Sequence, residues 1–252
     1  MKILPNIPGA VKVYAALRYL NKEKKNIAEA KAAGDYEKER IHIQSAENIW
    51  ANKLMEAFNV EVVVHGEENL PAEGPVVFIP NHQGYADIIA CCAVLSKNFQ
   101  FGYIAKDELE KVPLYGEWIK RIRSVLIKRN DPRASLRAIE EGIDLIEKGF
   151  SMLIFPEGTR SKCAEMADFK RGAFKLATKP GVPVVPVSLH GTYRLFEENG
   201  VLRGDRIDIM IHPAMETKEL TKPQEKQFCV DVENIVREGL EKLIKIQEEA
   251  NA

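Results

Sequence analysis

Cysteine is scarce in this chain, its charges are in balance, and it has no apolar run long enough to cross a membrane. Each absence excludes something. The four cysteines in 252 residues, Cys91, Cys92, Cys163 and Cys229, fall at no metal-ligand spacing. Cys91 and Cys92 adjoin each other inside an apolar helical stretch, which reads as buried thiols in a reducing compartment rather than a disulfide framework. With 36 Lys and Arg against 37 Asp and Glu, the chain lacks the cationic excess that nucleic acid demands. No secretory apolar core with a cleavage site opens it, and the expectation is a cytoplasmic protein. Internal repeats and low-complexity linkers are missing too. What remains is 45% hydrophobic and 29% charged, a globular composition. Its length suits one α/β domain with an appendage and is short for two independent domains.

The appendage is residues 1–58. Ile3, Leu4, Ile7, Val11, Val13, Tyr14, Leu17, Tyr19 and Leu20 spread around most of a helix, with Pro5 and Pro8 expected to delay its start. A helix that is apolar all round is buried in something. Lys12 and Arg18 interrupt it, and Lys22, Lys24 and Lys25 follow, so it is too short and too charged to span a bilayer. A segment lying in one leaflet with a cationic collar at anionic headgroups fits this pattern, and so does a plain docking helix. A second helix, from Asp35 to about Phe58, carries Ile43, Ala46, Trp50, Leu54 and Ala57 at three- and four-residue spacing. The two form a two-helix hairpin turning at Ala32-Ala33-Gly34.

From residue 59 to 252 short β-branched or aromatic runs alternate with helical patterns. The runs are 60–65, 76–79, 101–105, 124–127, 152–155, 184–189 and 207–211. One helix starts at Asp131-Pro132, carries Leu136, Ile139, Ile143 and Ile146 on one face, and stops at Gly149. The last begins near Thr221 and buries Val232, Val236, Leu240 and Leu243. This order gives an α/β fold, a mostly parallel or mixed sheet of about seven strands flanked by helices, with active loops at the strand ends.

The chemistry centres on Asn81-His82-Gln83-Gly84-Tyr85-Ala86-Asp87, just after an apolar strand. A histidine near neutral pKa takes a proton from an alcohol when a carboxylate fixes its tautomer and steadies the imidazolium. On one helix, residues five apart point roughly 140° away from each other. A strand ending at Pro80, a loop turning at Gly84 and a helix starting at Asp87 let His82 and Asp87 meet. The plainer reading makes Asp87 a helix cap and His82 a loop residue. Downstream, Phe155-Pro156-Glu157-Gly158-Thr159-Arg160-Ser161 follows another strand. Gly158 allows close approach of the backbone to a ligand, Arg160 can grip a phosphate or carboxylate with two N–H groups, and Glu157 is placed to orient that guanidinium. Thr159 completes the turn, which on its own also reads as a solvated loop. Lys106 ends a strand and is either a third cation of the site or a snorkelling surface lysine. Lys170 and Arg171 open a further helix and can face acidic lipid or ligand. His190 has no carboxylate at a telling offset and reads as structural.

The ordered set Asn81-His82-x-x-x-x-Asp87, Phe155-Pro156-Glu157-Gly158-Thr159-Arg160 and Val182-Pro183-Val184-Val185-Pro186-Val187 resembles the glycerolipid acyltransferases, over about residues 59–215, and most closely the bacterial 1-acylglycerol-3-phosphate acyltransferases. A second block departs from that pattern. It reads Arg123-Ser124-Val125-Leu126-Ile127-Lys128-Arg129, with Ser124 where the family usually has glycine. The resemblance implies His82 as catalytic base, Asp87 as its partner, and Glu157, Gly158, Thr159 and Arg160 as the acceptor-binding loop; Lys106 is a further candidate that the resemblance does not supply. It implies transfer from an acyl thioester, on coenzyme A or acyl carrier protein as co-substrate, to the sn-2 hydroxyl of lysophosphatidate, with no cofactor and no metal. The partners implied are a membrane lipid substrate, the thioester carrier and an anionic bilayer surface at the cytoplasmic face of the cell membrane. Glycerol 3-phosphate or another lysolipid is the nearest alternative acceptor. A metal-dependent phosphoesterase finds no further His/Asp cluster at ligand spacing. A non-catalytic lipid-phosphate scaffold leaves the His82 and Asp87 pair without purpose.

Overall fold

The computed structural model describes residues 3–128 and 131–250; Arg129 and the side chains of Ile3 and Leu4 lie outside what is described. All seven expected strands form: β1 (Glu61–His65), β2 (Val77–Pro80), β3 (Phe101–Lys106), β4 (Val125–Ile127), β5 (Ser151–Leu153), β6 (Val184–His190) and β7 (Arg206–Ile211). They make one mixed sheet in the order β1-β7-β6-β2-β5-β3-β4. β2, β3, β4, β5 and β6 run parallel, while β7 is antiparallel to β6 and β1 follows β7. The carboxyl ends of the five parallel strands therefore share one edge, and the loops leaving them converge there. β2 and β6 are buried along their whole length, which is why their sequences are continuously apolar rather than alternating.

Helices α4 (Ala86–Leu95), α5 (Tyr115–Arg121), α6 (Pro132–Glu147), α7 (Lys175–Thr178) and α8 (Lys222–Ala250) join or cover these strands; before them come α1 (Ile3–Arg18), α2 (Asn21–Ala33) and α3 (Tyr36–Phe58). Asp131 caps α6 by accepting from Arg133 and Ala134 N–H, with Pro132 at its first position. Leu136 departs from the expected stripe of α6 and is exposed, whereas Ile139, Ile143 and Ile146 are buried. In α8 the whole stripe from Val232 to Leu243 is buried as its spacing implies.

The N-terminal arm differs from expectation in detail. Pro5 and Pro8 do not delay α1, which starts at Ile3 and carries Pro8 inside. A first-turn proline sacrifices no helical hydrogen bond, and one further in removes only one N–H donor while clashing with the carbonyl four residues back. The chain breaks after Arg18, so the first arm is two helices. The hairpin turns between α2 and α3 at Gly34, whose φ of 69° is left-handed, with Asp35 accepting from Lys38 N–H to start α3. Two of the contacts that fasten the arm to the sheet layer use buried polar side chains. Buried Glu39 of α3 takes a bidentate grip from Arg123, at 2.7 and 2.8 Å, a geometry that suits a desolvated pair. The Asn6 amide of α1 donates to Gly200 O at 2.7 Å and its oxygen accepts from Leu202 N–H at 2.8 Å. The buried residues of α1, α2 and α3 join the same apolar core as the sheet. The outer side of α1 leaves Ile7, Val11 and Tyr14 exposed, and Tyr19 follows them.

Candidate active site

Two side chains ahead of and behind His82 fasten its loop to the neighbouring strand. Asn81 donates to Leu189 O at 3.0 Å and accepts from Leu189 N–H at 2.7 Å, at the end of β6. The Gln83 carbonyl oxygen of the side chain accepts from Gly191 N–H and the Thr192 hydroxyl, and its NH2 donates to Ala164 O. Both are fully buried, where an amide is retained only if its donors and acceptors are met. Gly84 is required for a reason other than the one its sequence position suggests. It is not among the left-handed glycines. Instead a Cβ there would lie 2.6 Å from the Glu197 carboxylate and 3.3 Å from Thr192 O.

His82 and Asp87 meet as expected. His82 Nδ1 lies 2.6 Å from Asp87 Oδ2, which also accepts from Gly84 N–H at 3.0 Å. Asp87 is in the first turn of α4, where the helix dipole favours a negative charge. It caps none of that helix's own amides. Its carboxylate is wholly buried and its Oδ1 has no hydrogen-bond partner. The imidazole stacks on Phe155, with ring centroids 3.9 Å apart and 16° between planes. A ring that donates from Nδ1 to a carboxylate carries its lone pair on Nε2. No protein group engages that nitrogen among the described residues, and the side chain is 13% exposed.

The loop after β5 lies against the His82 loop. Ser161 N–H donates to His82 O and Lys162 N–H to Gln83 O. Glu157 is buried between the loops, its two oxygens accepting from His82 N–H at 2.6 Å and Ala167 N–H at 2.9 Å. Burial pushes its carboxyl upward against those two bonds. The expectation that Glu157 orients Arg160 is therefore corrected, because both of its oxygens are spent on backbone. Gly158, at φ 71°, turns the chain; beyond it Thr159 is exposed and Arg160 half-buried. There Arg160 Nη1 meets Glu197 Oε1 at 2.6 Å, and the guanidinium lies 3.6 Å from the centroid of the Tyr85 ring. The Lys170 ammonium sits against Gly158, 2.7 Å from where a Cβ would be. Lys106 is not brought into contact with any of these. It ends β3, two strands away from β2 across β5, and pairs with Glu108 at 2.7 Å.

Sequence reasoning missed Glu197, whose only local signal is a turn-like Phe196-Glu197-Glu198-Asn199-Gly200 that reads as solvated. It also passed over Tyr85 and Phe155 as site residues, since an aromatic in a loop carries no mark of what it stacks on. A second histidine–aspartate pair escaped notice because its members are 143 residues apart: His65 Nε2 lies 3.3 Å from Asp208 Oδ1. Asp208 also accepts two bonds from Arg206 and one from Gln247. Among the described residues no group of three or more His, Cys, Asp or Glu is arranged to hold a metal.

The model of the acyltransferase family matches residues 61–190, more than half of the chain. The chain belongs to the acyltransferase family. The matched stretch runs from β1 to the end of β6 and so contains both loops of the site. The chain is 32% identical over 195 residues to a chloroplastic 1-acyl-sn-glycerol-3-phosphate acyltransferase of Brassica napus, covering 76% of this chain and 54% of that protein. It is 36% identical over 167 residues to the corresponding Arabidopsis thaliana protein, covering 65% and 46%. The chain thus spans about half the length of these curated relatives. Among solved structures it resembles the 1-acyl-sn-glycerophosphate acyltransferase PlsC of Thermotoga maritima, with a TM-score of 0.71 at 26% identity over 94% of this chain and 98% of that one. In the departing second block, Ser124 has a definite structural role. Its hydroxyl accepts from Tyr103 N–H of β3 at 3.0 Å. The left-handed residue of that turn is Arg123, at φ 62°, whose carbonyl lies over Gly102.

Proposed function

We propose that the protein transfers an acyl group from an acyl thioester to the sn-2 hydroxyl of 1-acylglycerol 3-phosphate, lysophosphatidate, giving phosphatidate. One observation carries this reading: an imidazole held by a buried carboxylate through Nδ1, with Nε2 unengaged, on a loop hydrogen-bonded to the loop of Arg160, whose guanidinium has unused N–H groups. The acceptor hydroxyl gives its proton to His82 Nε2 as its oxygen attacks the thioester carbonyl, and Asp87 stabilises the imidazolium. The tetrahedral oxyanion needs donors. The N–H groups of Thr159 and Arg160, on the loop packed against that of His82, are engaged by no protein acceptor among the described residues and can supply them. Collapse breaks the carbon–sulfur bond, and the thiolate of coenzyme A or acyl carrier protein takes the proton back from His82. No covalent enzyme intermediate is needed.

Arg160 anchors the acceptor phosphate and so fixes which hydroxyl reaches His82, a positional effect that in favourable cases is worth many orders of magnitude in rate. Glu157 serves indirectly, by holding the His82 loop against the Gly158-Thr159-Arg160 turn. Release of thiol from acyl-coenzyme A or acyl carrier protein tests the reaction. It should require both lysophosphatidate and His82, and release with glycerol 3-phosphate alone would redirect the acceptor assignment.

We further propose that residues 1–58 attach the α/β domain of residues 59–252 to the cytoplasmic face of the cell membrane, as a peripheral or monotopic element. No helix among the described residues is long and apolar enough to cross a membrane. The exposed Ile7, Val11 and Tyr14 lie on one stripe of α1, and Lys22, Lys24 and Lys25 follow at the start of α2. That combination suits an anionic interface. Ile7→Glu with Val11→Glu should abolish co-flotation with anionic vesicles while leaving the folded protein intact; unchanged flotation would refute the attachment.

A further inference from the structure

Arg160 is a long side chain at a partly open site, and two neighbours outside the Glu157-Gly158-Thr159-Arg160 turn determine where it points. Glu197 takes Nη1 on one edge of the guanidinium, and the same oxygen, Oε1, accepts from Tyr85 N–H at 2.9 Å. Tyr85 places its ring under the guanidinium face at 3.6 Å. The Glu197 side chain is 3% exposed, and its Oε2 is sealed beside Gly84 with no partner of its own. One edge and one face of the guanidinium are thereby taken. The remaining edge, Nε with Nη2, meets no protein acceptor among the described residues. That edge presents the pair of parallel N–H groups that grips two oxygens of a phosphate.

We infer that Glu197 and Tyr85 are positioning residues that hold Arg160 with its Nε–Nη2 edge turned to the acceptor phosphate. The inference rests on the proposed role of Arg160 in binding that phosphate. Neither residue touches the acyl donor, and neither acts on the reacting atoms. Their effect is preorganisation: Arg160 is already immobilised when the acceptor arrives, and binding does not have to order it. The Glu197 carboxylate also ties the His82 loop to the loop carrying Arg160, so base and phosphate anchor keep a fixed separation. The distance between the sn-2 oxygen and the phosphate is fixed in the acceptor, and the site matches it only if the two loops stay together.

Steady-state kinetics of the full chain with lysophosphatidate and acyl-coenzyme A test this. Glu197→Ala should raise the acceptor KM about tenfold with the thioester KM unchanged and kcat altered far less. Glu197→Gln keeps an oxygen for both donors and should restore the acceptor KM to near the wild-type value. Tyr85→Leu removes a ring that is 58% exposed, so it leaves the core whole. It should raise the acceptor KM several-fold even if the alanine variant proves too unstable to assay. In an Arg160→Ala background neither change should raise the acceptor KM further, because both act through Arg160. Additive increases, a Gln variant as impaired as Ala, or a loss shared equally between donor and acceptor would overturn the positioning role. An acceptor KM that Arg160→Ala itself leaves unchanged would instead overturn the reading of Arg160, and the two failures are distinguishable.

Discussion

Among the described residues two buried aspartates each face a histidine, and the two carboxylates differ in what else they hold. At the end of β2, Asp87 receives His82 and one backbone N–H, and one of its oxygens is left without a partner. Between β1 and β7, Asp208 receives His65, two bonds from Arg206 and one from Gln247. Burial pushes the Asp208 carboxyl up, yet the bonds from Arg206, Gln247 and His65 outweigh it and hold the group below the usual carboxylate range. A carboxylate already neutralised by a guanidinium has little left to offer a developing imidazolium. The bond lengths agree, 2.6 Å for His82 against 3.3 Å for His65. What else the carboxylate holds thus separates the pair proposed as catalytic from the other. The same residue types with more partners make a clasp between strands.

Breaking the pairs one at a time should expose that difference. His82→Ala removes the proton acceptor and is expected to lower kcat by about 10²–10⁴-fold, read as thiol release at saturating acceptor and donor. Asp87→Asn leaves the ring in place without a charge to steady it and should cost about 10³–10⁴-fold in kcat with little change in thermal midpoint. Asp208→Asn should do the reverse. It leaves Arg206 facing a neutral amide, lowers stability by about 1–3 kcal/mol in denaturant titration, and preserves kcat. A variant of Asp208 as inactive as that of Asp87 would break the distinction.

A pH series sharpens it from another side. Among the described residues His190 and His212 make no carboxylate hydrogen bond, and burial lowers each to about 4, aided by Arg194 at the first and Lys242 at the second. An unfolded histidine titrates near 6.5, so the unfolded chain takes up these protons first as pH falls. Stability from keeping them neutral is intact above about pH 6.5 and is lost between there and about pH 4. Thermal midpoints measured across that window should fall, and His212→Gln should flatten part of the fall. The smallest effect belongs to His65→Ala, a part-exposed ring at a saturated carboxylate, expected to change stability by no more than about 0.5 kcal/mol and kcat not at all.

The sheet was legible because buried parallel strands are written as short continuous apolar runs, a local property. The ends were less so. Phe155 continues the apolar run of β5, yet the strand stops at Leu153 and the Phe155 ring leaves the sheet to lie under His82. His82 and Asp87 could be paired in advance since a strand, a tight loop and a helix start leave only one way for residues five apart to meet. The partner of Arg160 could not. Glu157 is three residues away and Glu197 is 37 away, and only the packed loops show that the nearer carboxylate is consumed by backbone amides. The break between α1 and α2 had no sequence mark of its own, because the apolar residues there continue through it.

The two hydrogen bonds from Asn6 join α1 to Gly200 and Leu202, a few residues beyond Glu197. Gly9 lies in the same seam, where a Cβ would come 2.6 Å from the Leu202 side chain and make it shift. Deletion mapping is therefore ambiguous in this protein. Trimming the N-terminus to obtain a more tractable enzyme would unpin the segment that steers Arg160, and poor turnover of the shortened chain would be mistaken for a failure to reach lipid. Point changes on the outward stripe of α1, at Ile7 and Val11, spare Asn6 and Gly9 and let attachment and acceptor grip be scored apart.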